Sequence, residues 1–449
     1  MRKLFGTDGI RGTANIPPMD APTAYKVGAA VGSHFRAANR HPKIYIGRDT
    51  RLSGAMLEGA LASGLCAVGA EAVSLGVVTT PGVAHLTRTT DADAGVMISA
   101  SHNPFIDNGI KIFSHDGFKL PDDEEEKIEA LIFKENPDDL NAQPHEIGSI
   151  TFWNDAEELY IAALATSVGA DVSLKGMKIV VDCANGAAYR IAPETLGRLG
   201  IDLKTVGVTP DGRNINKACG SLHPPLLQDE VRRHGADLGV AFDGDADRAI
   251  FVDAAGDVVD GDQIMAICAR KLKQEGKLRR DTLVATVMSN IGLERAMNKL
   301  GVKVVKTAVG DRYVVEEMRA KGYNFGGEQS GHLIFLDHGT SGDGILTALQ
   351  VMSIVSQTGR PLRELAGLMT VYPQVLKNLM VAYKRPLGEL ESVQRAIADA
   401  EARLGRDGRV LVRYSGTENK ARVMVEGLDR DLINRCADEI ITALDAELN

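Results

Sequence analysis

The chain has 449 residues, of which 44% are apolar and 25% charged, and its formal net charge is −9 with a pI near 5.7. The length suggests about three domains, and the acidic balance argues against broad binding to nucleic-acid phosphates. Five scattered cysteines, a glycine-rich start without a signal-like segment and no apolar run long enough to span a bilayer predict a soluble, multidomain cytoplasmic protein that binds neither nucleic acid nor membranes.

Three stretches share one plan, a short apolar run followed by a polar turn and a helix-like segment. They are KIYIGRDTRLSGAMLEGALASGL from Lys43, KIVVDCANGAAYRIAPETLGRLG from Lys178 and TLVATVMSNIGLERAMNKLG from Thr282. Short β-rich runs that alternate with helical patterns indicate βαβ units and parallel or mixed sheets. We therefore predict three α/β domains of related construction.

The pattern changes near Thr370. A helix-like stretch, LESVQRAIADAEARLG, precedes the apolar runs GRVLVRYS and ARVMVEG and a closing helix, which predicts a smaller α+β domain. The acidic stretch PDDEEEKIEALI predicts a helix start, since acidic residues are favoured by the helix dipole there. The predicted domains span residues 1–153, 154–253, 254–369 and 370–449.

The stretch GVMISASHNPFIDNGIKIF, residues 95–113, carries a serine at the end of an apolar run. Taken alone, Asn103-Pro104 marks a turn in which Ser101 satisfies local backbone groups. No G-x-S-x-G motif is present, so this is not the nucleophile elbow of an α/β-hydrolase. A functional role for Ser101 is therefore suggested only when the other polar loops of the chain are considered.

The stretch LGVAFDGDADRAIFVD places Asp243, Asp245 and Asp247 directly after an apolar run. Alternate side chains of an extended backbone share a face, so three carboxylates can converge on one hard cation such as Mg²⁺. An EF-hand is excluded, because its sixth and twelfth positions are Arg248 and Ala254. A solvated acidic turn is the competing interpretation, although mutual repulsion of the carboxylates demands a counter-charge.

The stretch YNFGGEQSGHLIF places Glu328, Gln329, Ser330 and His332 just after a glycine turn. These side chains suit sugar hydroxyl groups, because carboxylates accept hydrogen bonds and serine both donates and accepts. A polar hairpin explains the same residues about equally well.

The stretch RYSGTENKAR suits an anion. Arg413, Ser415, Gly416 and Thr417 form a candidate nest of donors, with Arg422 as a second cation. No Walker P-loop and no G-x-G-x-x-G motif occurs in the chain. With no visible nucleotide site, the phosphoryl donor in a transfer reaction must be the substrate or the protein itself, and a phosphorylated Ser101 fits that role.

Together, FGTDGIRG, ISASHNP, DGDADR, VGDRYV, GGEQSGH and RYSGTE resemble the α-D-phosphohexomutases, and they cover essentially the whole chain in family order. The stretch TPDGRNINKACGSLHP from Thr209 resembles the branch of that family that acts on glucosamine phosphates. The resemblance implies four domains around a central cleft: three related α/β domains with mixed sheets and a smaller C-terminal α+β domain. One departure is visible, because Asn419-Lys420-Ala421 follow Gly-Thr-Glu where many relatives have a proline.

The resemblance also implies a role for each loop. Ser101 would be a phosphoserine that completes a Mg²⁺ site with Asp243, Asp245 and Asp247. The groups beside the reacting centre would be Arg11, His102, Lys111, Arg248 and His332, with Lys111 a candidate acid or base if neighbouring cations lower its pKa. The substrate-binding residues would be Glu328, Gln329, Ser330, Arg413, Ser415, Gly416, Thr417 and Arg422.

In the implied cycle, Ser101 passes its phosphoryl group to a sugar phosphate and recovers one from the resulting 1,6-bisphosphate. The expected substrates are glucosamine 6-phosphate and glucosamine 1-phosphate. Glucosamine 1,6-bisphosphate, or glucose 1,6-bisphosphate, would serve as intermediate and activator. The resemblance further implies a homodimer as one assembly to expect.

Three alternatives stay open at this point. A related mutase could act on mannose or glucose phosphates with the same residues. A haloacid-dehalogenase-type phosphatase would use Asp243 as nucleophile and Asp245 as acid or base, but it leaves Ser101 unexplained. A non-catalytic sensor of phosphosugars would share the scaffold.

Overall fold

The computed structural model of the chain describes residues 4–6, 8–36, 41–134, 140–415 and 419–449. Its elements form two compact units, one of Met1–Met288 with Val302–Leu368 and one of Ser289–Gly301 with Met369–Asn449. The first unit holds three mixed sheets with helices, and the second holds a smaller antiparallel sheet with helices. This confirms the predicted fold class, whereas the predicted domain boundaries stay predictions.

The first sheet lies in the N-terminal third of the chain. Its strands are β1 (Phe5–Gly6), β2 (Gly9–Thr13), β3 (Lys43–Arg48), β4 (Glu71–Val77), β5 (Ala94–Ile98), β6 (Asp107–Ser114) and β7 (Ile150–Phe152). Its helices are α1 (Ala21–Phe35), α2 (Gly54–Ala67), α3 (Thr80–Thr89) and α4 (Asp122–Ile132). The strand order is β1-β2-β6-β5-β3-β4-β7. The acidic stretch after Pro121 begins α4, as predicted.

The second sheet follows helix α5 (Glu157–Thr166). Its strands are β8 (Lys178–Asp182), β9 (Asp202–Val206), β10 (Leu238–Phe242), β11 (Ala249–Asp253) and β12 (Val258–Val259), and its helices are α6 (Ala188–Arg198) and α7 (Pro225–His234). The order is β12-β11-β10-β8-β9. Strand β12 therefore extends this sheet beyond residue 253, where the sequence predicted the second domain to end.

The third sheet completes the first unit. Its strands are β13 (Thr282–Thr286), β14 (Lys303–Thr307), β15 (Phe325–Gly327) and β16 (Leu333–Phe335), in the order β14-β13-β15-β16. The helices of this region are α8 (Gly261–Gln274), α9 (Ile291–Lys299), α10 (Asp311–Lys321), α11 (Gly344–Thr358) and α12 (Leu362–Ala366). Helix α9 connects β13 to β14 but belongs to the second compact unit.

One topology occurs three times. In each sheet a β-α-β segment yields two adjacent parallel strands, β3 with β4, β8 with β9 and β13 with β14. A third parallel strand pairs on the other side of the first and is followed by an antiparallel partner, β5 with β6, β10 with β11 and β15 with β16. The loops between these antiparallel strands, 99–106, 243–248 and 328–332, therefore occupy equivalent positions. They contain Ser101, the three aspartates, and Glu328 to His332, and we name them the serine loop, the aspartate loop and, after its predicted role, the sugar-binding loop.

The second unit contains the predicted α+β region. Its further strands are β17 (Gln374–Met380), β18 (Arg409–Tyr414) and β19 (Lys420–Glu426), and its further helices are α13 (Glu391–Leu404) and α14 (Arg430–Leu448). The strands are antiparallel in the order β17-β19-β18. Apolar side chains from the strands and both helices form its core. In the part of the chain that the structure describes, no helix combines the length and apolar character needed to cross a membrane.

Candidate active site

Ser101 stands at the end of β5, whose five residues are all buried. Its backbone lies in the left-handed region at φ 53°. The hydroxyl donates a hydrogen bond to Asp243 Oδ2 at 2.5 Å and lies 3.3 Å from His102 Nδ1. Only 1% of Ser101 is exposed. The serine loop and the aspartate loop therefore meet at this hydroxyl group.

The three aspartates of the second loop form one buried group. One oxygen from each of Asp243, Asp245 and Asp247 lies within 4.8 Å of the others, and Ala246 between them is in the left-handed region at φ 58°. Oδ1 of Asp245 and Oδ1 of Asp247 are buried without a hydrogen-bond partner in the described residues. Unpartnered buried carboxylate oxygens need a cation, and hard oxygen donors suit Mg²⁺ or a similar ion. The residues present therefore fit a divalent metal.

The pKa values of two of the three aspartates are shifted in opposite directions. Burial raises the pKa of Asp243 well above its ordinary value, and the negative charges of Asp247 and Asp245 add to the effect. Burial acts in the same direction on Asp247, but Lys111 and His332 outweigh it and lower the pKa of Asp247. Crowded carboxylates thus resist simultaneous ionisation unless positive charge is supplied.

Lys111 supplies part of that charge from β6. Its Nζ lies 2.9 Å from Asp245 Oδ2, 3.5 Å from Asp247 Oδ2 and 3.5 Å from Asp8 Oδ2, and the residue is 1% exposed. Burial and Arg11 oppose the ammonium charge, but the three carboxylates outweigh them and raise the pKa of Lys111. The sequence analysis named Lys111 as a candidate acid or base on the condition that neighbouring cations lower its pKa, and this condition is not met because acidic groups dominate its surroundings.

Charged side chains continue outward from Lys111 in an alternating series. Asp8 forms ion pairs with Arg11 and Lys119. Nζ of Lys119 also lies 2.6 Å from Asp311 Oδ2. Burial opposes ionisation of Asp8, but Lys111, Lys119 and Arg11 lower its pKa well below the ordinary value. Asp8, Lys119 and Asp311 were missed by the sequence analysis. Asp8 and Asp311 lie inside the motifs FGTDGIRG and VGDRYV, which were quoted without assigning them a role.

His332 connects the sugar-binding loop to the aspartates. Its Nδ1 lies 3.7 Å from Asp247 Oδ1, and its Nε2 lies 3.4 Å from Asp311 Oδ2. The backbone N–H of Gly342 donates to Nε2 at 3.1 Å, which leaves the proton of the neutral ring on Nδ1. Burial disfavours the charged ring, but Asp247 and Asp311 outweigh it and raise the pKa of His332.

Arg248 closes the aspartate loop. Its backbone N–H donates to Asp243 Oδ1 at 3.2 Å, and its Nε lies 3.7 Å from Asp247 Oδ1. Nε is buried without a hydrogen-bond partner in the described residues. The guanidinium group therefore retains a donor for an incoming anion beside the aspartates.

The sugar-binding loop presents polar groups beside this centre. Glu328 is partly exposed, and its Oε1 accepts a hydrogen bond from the Gly310 N–H at 3.1 Å. The carbonyl of Gln329 accepts from the Gly261 N–H at 3.1 Å, while Ser330 Oγ is buried without a partner among the described residues. Ala249 N–H donates to the Gly331 carbonyl at 3.1 Å and joins this loop to the aspartate loop.

Further residues missed by the sequence analysis hold the loops. Thr80, the first residue of α3, donates from Oγ1 to Asp245 Oδ2 at 2.6 Å. Arg51 and Asn216 donate to the Ser101 carbonyl at 2.8 and 2.9 Å. The signal for Arg51 was the charged segment RDTR, residues 48–51, at the end of strand β3. No local pattern identifies Thr80 or Asn216.

The candidate phosphate residues lie in the second compact unit. Arg413 and Arg422 face each other on β18 and β19, and burial together with Arg422 lowers the pKa of Arg413. Ser415 N–H donates to the Lys420 carbonyl at 2.8 Å, and Lys384 Nζ donates to the Ser415 carbonyl at 2.7 Å. Two directly opposed cations favour an anion between them. The predicted residues Gly416 and Thr417 lie outside the described part of the chain.

Profiles of one protein family match almost the whole chain. They are the phosphoglucomutase/phosphomannomutase alpha/beta/alpha domain I at residues 2–139, domain II at 158–256, domain III at 260–372 and the C-terminal domain at 376–443. The chain belongs to the phosphoglucomutase/phosphomannomutase family, and so to the phosphohexomutases, isomerases that act as intramolecular phosphotransferases. This membership contradicts the phosphatase alternative.

Relatives that match nearly the full length of the chain are phosphoglucosamine mutases. The phosphoglucosamine mutase of Geotalea daltonii is 52% identical over 440 residues, which cover 98% of this chain and 97% of that relative. The phosphoglucosamine mutase of Syntrophotalea carbinolica is 53% identical over 448 residues, 100% of this chain and 98% of that relative. A phosphoglucomutase/phosphomannomutase family protein from Burkholderia thailandensis has a similar structure, with a TM-score of 0.81, 27% identity and coverage of 99% of this chain and 97% of its own.

Proposed function

We propose that the chain interconverts glucosamine 6-phosphate and glucosamine 1-phosphate as a phosphoglucosamine mutase that carries a phosphoserine at Ser101. The observation that carries this proposal is the Ser101 hydroxyl at 2.5 Å from Asp243, within a buried trio of aspartates. The full-length similarity to phosphoglucosamine mutases supports the choice of substrate.

The proposed reaction is a pair of reciprocal phosphoryl transfers. The free hydroxyl of the sugar phosphate attacks the Ser101 phosphorus, the bond from phosphorus to Oγ breaks and a sugar–oxygen–phosphorus bond forms, giving glucosamine 1,6-bisphosphate. The attacking hydroxyl loses its proton to a base, and Ser101 Oγ takes up a proton as it leaves. In the second step Ser101 attacks the other phosphate, and the same bonds and protons are exchanged in reverse.

Lys111, His332 and Arg11 are the candidates for the acid or base, and their surroundings separate them. The carboxylates around Lys111 hold it in its charged form. The Arg11 guanidinium group offers several N–H donors and no acceptor. Both are therefore suited to stabilising charge on the transferred phosphoryl group. His332 is our choice for the acid–base role, because an imidazole ring can both donate and accept a proton and its Nδ1 lies 3.7 Å from Asp247 Oδ1.

The proposed cofactor is Mg²⁺, held by Asp243, Asp245, Asp247 and the phosphate on Ser101. When bound, it would offset negative charge on the phosphoryl oxygens. The sugar bisphosphate serves as activator, because it can phosphorylate a Ser101 that has lost its phosphate. Arg248 and His102 would lie beside the phosphoserine.

The sugar and its second phosphate would use the remaining candidate residues. Glu328, Gln329 and Ser330 are proposed to bind the sugar ring, where Ser330 Oγ has a hydrogen-bonding capacity still to be satisfied. Arg413, Ser415 and Arg422 are proposed to bind the phosphate that is not being transferred, together with Gly416 and Thr417.

We also propose a cytoplasmic location and small-molecule partners. All five cysteines are free thiols, four of them buried, which suits a reducing compartment. A homodimer remains an expectation drawn from the resemblance.

The sugar preference is tested by comparing kcat/KM for glucosamine 6-phosphate, glucose 6-phosphate and mannose 6-phosphate on Mg²⁺-loaded, Ser101-phosphorylated protein. We expect a preference for the amino sugar of at least about tenfold, since one substituent changes binding by a few kcal/mol. A preference for glucose or mannose phosphate would reject the proposed substrate and leave the proposed chemistry of Ser101 in place.

The phosphoserine is tested separately by intact mass and peptide mapping. We expect one phosphate on Ser101 after incubation with a sugar 1,6-bisphosphate, and a loss of turnover of roughly 10⁴-fold or more in Ser101→Ala. Ser63→Ala, an exposed serine on α2, is the matched control. Full turnover in Ser101→Ala would reject the mechanism, and sugar-phosphate binding without turnover in the wild type would favour the sensor alternative.

A further inference from the structure

We propose that Asn216, together with Arg51, is a positioning residue that fixes the direction of the Ser101 side chain toward the aspartate trio. This inference rests on the proposed phosphoserine function. Asn216 lies in the stretch from Thr209 to Pro224, none of whose residues has a role in the proposed reaction. It does not touch the reacting oxygen of Ser101 but contacts the peptide that carries it.

Two side chains hold the same two carbonyl groups of the serine loop. Arg51 follows β3 of the first sheet, and Asn216 follows β9 of the second. Arg51 Nη2 donates to the carbonyls of Ser101 and Asn103, each at 2.8 Å. Asn216 Nδ2 donates to the same carbonyls at 2.9 and 3.0 Å. Arg51 also donates to the Pro104 carbonyl. The loop is therefore held at several points along its backbone.

The backbone N–H of Ser101 is held through Ser99 by the ion pair between Asp49 and Arg51. Ser101 N–H donates to Ser99 Oγ at 3.0 Å, and Ser99 Oγ donates to Asp49 Oδ2 at 2.5 Å. Asp49 in turn pairs with Arg51 at 2.9 Å, and the two residues are 0% and 2% exposed. The N–H of Ser101, through Ser99, and its carbonyl, directly, are thus both hydrogen-bonded to the buried salt bridge between Asp49 and Arg51.

This restraint is needed because Ser101 has a strained backbone. A residue other than glycine in the left-handed region costs about 1 kcal/mol or more and persists only where its surroundings hold it. The aspartate loop packs on the same carbonyl, since a Cβ on Gly244 would lie 2.5 Å from the Ser101 oxygen and 2.9 Å from Asn216 Nδ2. A rotation of the Ser101 peptide would therefore disturb the loop that carries the metal ligands.

Asn216 is the partner that links the two sheets. It belongs to the segment between β9 and α7, and its own backbone is left-handed at φ 57° with its N–H bonded to the Ala184 carbonyl at 2.9 Å. That segment and the aspartates are part of the second sheet's region, whereas Ser101 follows β5 of the first. Asn216 therefore sets the nucleophile of one sheet against the metal ligands of the next.

The test uses two replacements of Asn216 in the full chain. Asn216→Asp keeps the shape and tolerates a left-handed backbone but removes both donors, and Asn216→Gly removes the contact without adding charge. Arg51 is the less informative target, because its replacement would leave Asp49 buried and unpaired. Asn214→Asp is the matched control, because Asn214 is a partly exposed residue of the same loop and its side-chain hydrogen bonds to described residues stay within that loop.

The readout is kcat per phosphorylated Ser101, with phosphate counted by intact mass, together with KM for glucosamine 6-phosphate. We expect both Asn216 variants to lose about 10- to 100-fold in kcat per phosphoserine, because small misplacements of a reacting group have such effects. KM should stay within about twofold, since no substrate contact is removed. The control should resemble the wild type.

Two results would overturn the inference. An unchanged kcat per phosphoserine with only a lower yield of folded or phosphorylated protein would assign Asn216 a purely structural role. A loss in Asn216→Asp that is absent in Asn216→Gly would assign the effect to the added charge. A wild type that never carries phosphate on Ser101 would instead reject the proposed function, and this is measured before any variant is compared.

Discussion

At the scale of single residues, the buried carboxyl group of Asp343 couples folding to pH. Burial raises the pKa of Asp343 to about 6, although it accepts hydrogen bonds from Leu346 N–H at 2.9 Å and Tyr160 OH at 2.7 Å. The folded chain therefore binds this proton more tightly than the unfolded chain, whose value is near 3.8. The contribution of Asp343 to stability is highest below pH 4 and falls as the pH rises to 6.

Asp343→Asn should remove this dependence. A shift of about 2 pKa units corresponds to roughly 2–3 kcal/mol above pH 7, and asparagine preserves both the helix cap of α11 and a polar partner for Tyr160. We expect the melting temperature of the variant to match that of the wild type near pH 4 and to exceed it above pH 7. Thermal unfolding measured from pH 4 to pH 8 checks this difference.

Asp429→Asn is the control, because Asp429 also caps a helix but is exposed. Backbone hydrogen bonds lower the pKa of Asp429, so it titrates below this pH range. Its variant should differ from the wild type by a constant amount between pH 5 and pH 8. A constant difference for Asp343→Asn as well would contradict the assignment.

Residues of the site differ in how far the sequence revealed them. Ser101 and the three aspartates follow buried strands in patterns that need a chemical explanation, so the amino-acid sequence alone was enough to select them. Asn216 could not be selected in this way, because its hydrogen bond to Ser101 joins residues far apart in the chain. The pKa of Lys111 was also beyond sequence reasoning, since its direction depends on which charges surround the ammonium group.

At the scale of elements, α1 and α2 pack together through two glycines. A Cβ on Gly28 would lie 2.0 Å from the Leu61 carbonyl oxygen, and one on Gly64 would lie 2.0 Å from the Tyr25 carbonyl oxygen. Neither backbone oxygen can move independently of its helix. These glycines therefore allow a helix contact that any larger residue would force apart.

Gly64→Ala should separate the helices and destabilise the first sheet's domain by about 1–3 kcal/mol, as overpacking usually does. Gly59→Ala is the matched control in the same helix, because Gly59 is exposed and a Cβ there meets nothing within 4 Å. It should stabilise α2 by about 0.5–1 kcal/mol through helix propensity. Urea unfolding of the two variants should show opposite shifts, and equal shifts would contradict the packing argument.

Strands and helices were the part of the fold that the sequence revealed most fully. The apolar runs from Lys43, Lys178 and Thr282 form β3, β8 and β13, and each is followed by the predicted helix. The runs succeed as predictors because central parallel strands are buried on both faces. The assignment of α9 to the second compact unit was not predictable, because it depends on tertiary contacts that leave no local pattern.

At the scale of the whole molecule, the threefold recurrence of one topology explains why the chemistry is distributed along the chain. Each α/β sheet contributes the loop at the same topological position, one with the proposed nucleophile, one with the proposed metal ligands and one with the proposed sugar-binding groups. Ser101 and Asp243, which meet in space, are therefore 142 positions apart in the chain.

The residues proposed to bind the second phosphate belong to a separate compact unit with its own core, so their contribution can be isolated. Arg413 faces Arg422 across β18 and β19, and an anion held between these cations gains charge-assisted hydrogen bonds of about 1.5–3 kcal/mol.

Arg413→Gln should therefore raise KM for glucosamine 6-phosphate by about 10- to 100-fold. Phosphate occupancy of Ser101 should not change, because the hydrogen bonds of the serine loop lie within the other unit. Steady-state kinetics and intact mass measure the two quantities, with the exposed Arg395→Gln on α13 as control. An unchanged KM in Arg413→Gln would remove this arginine from the proposed phosphate-binding residues, whereas a loss of Ser101 phosphate would mean that the replacement acts on the transfer chemistry itself.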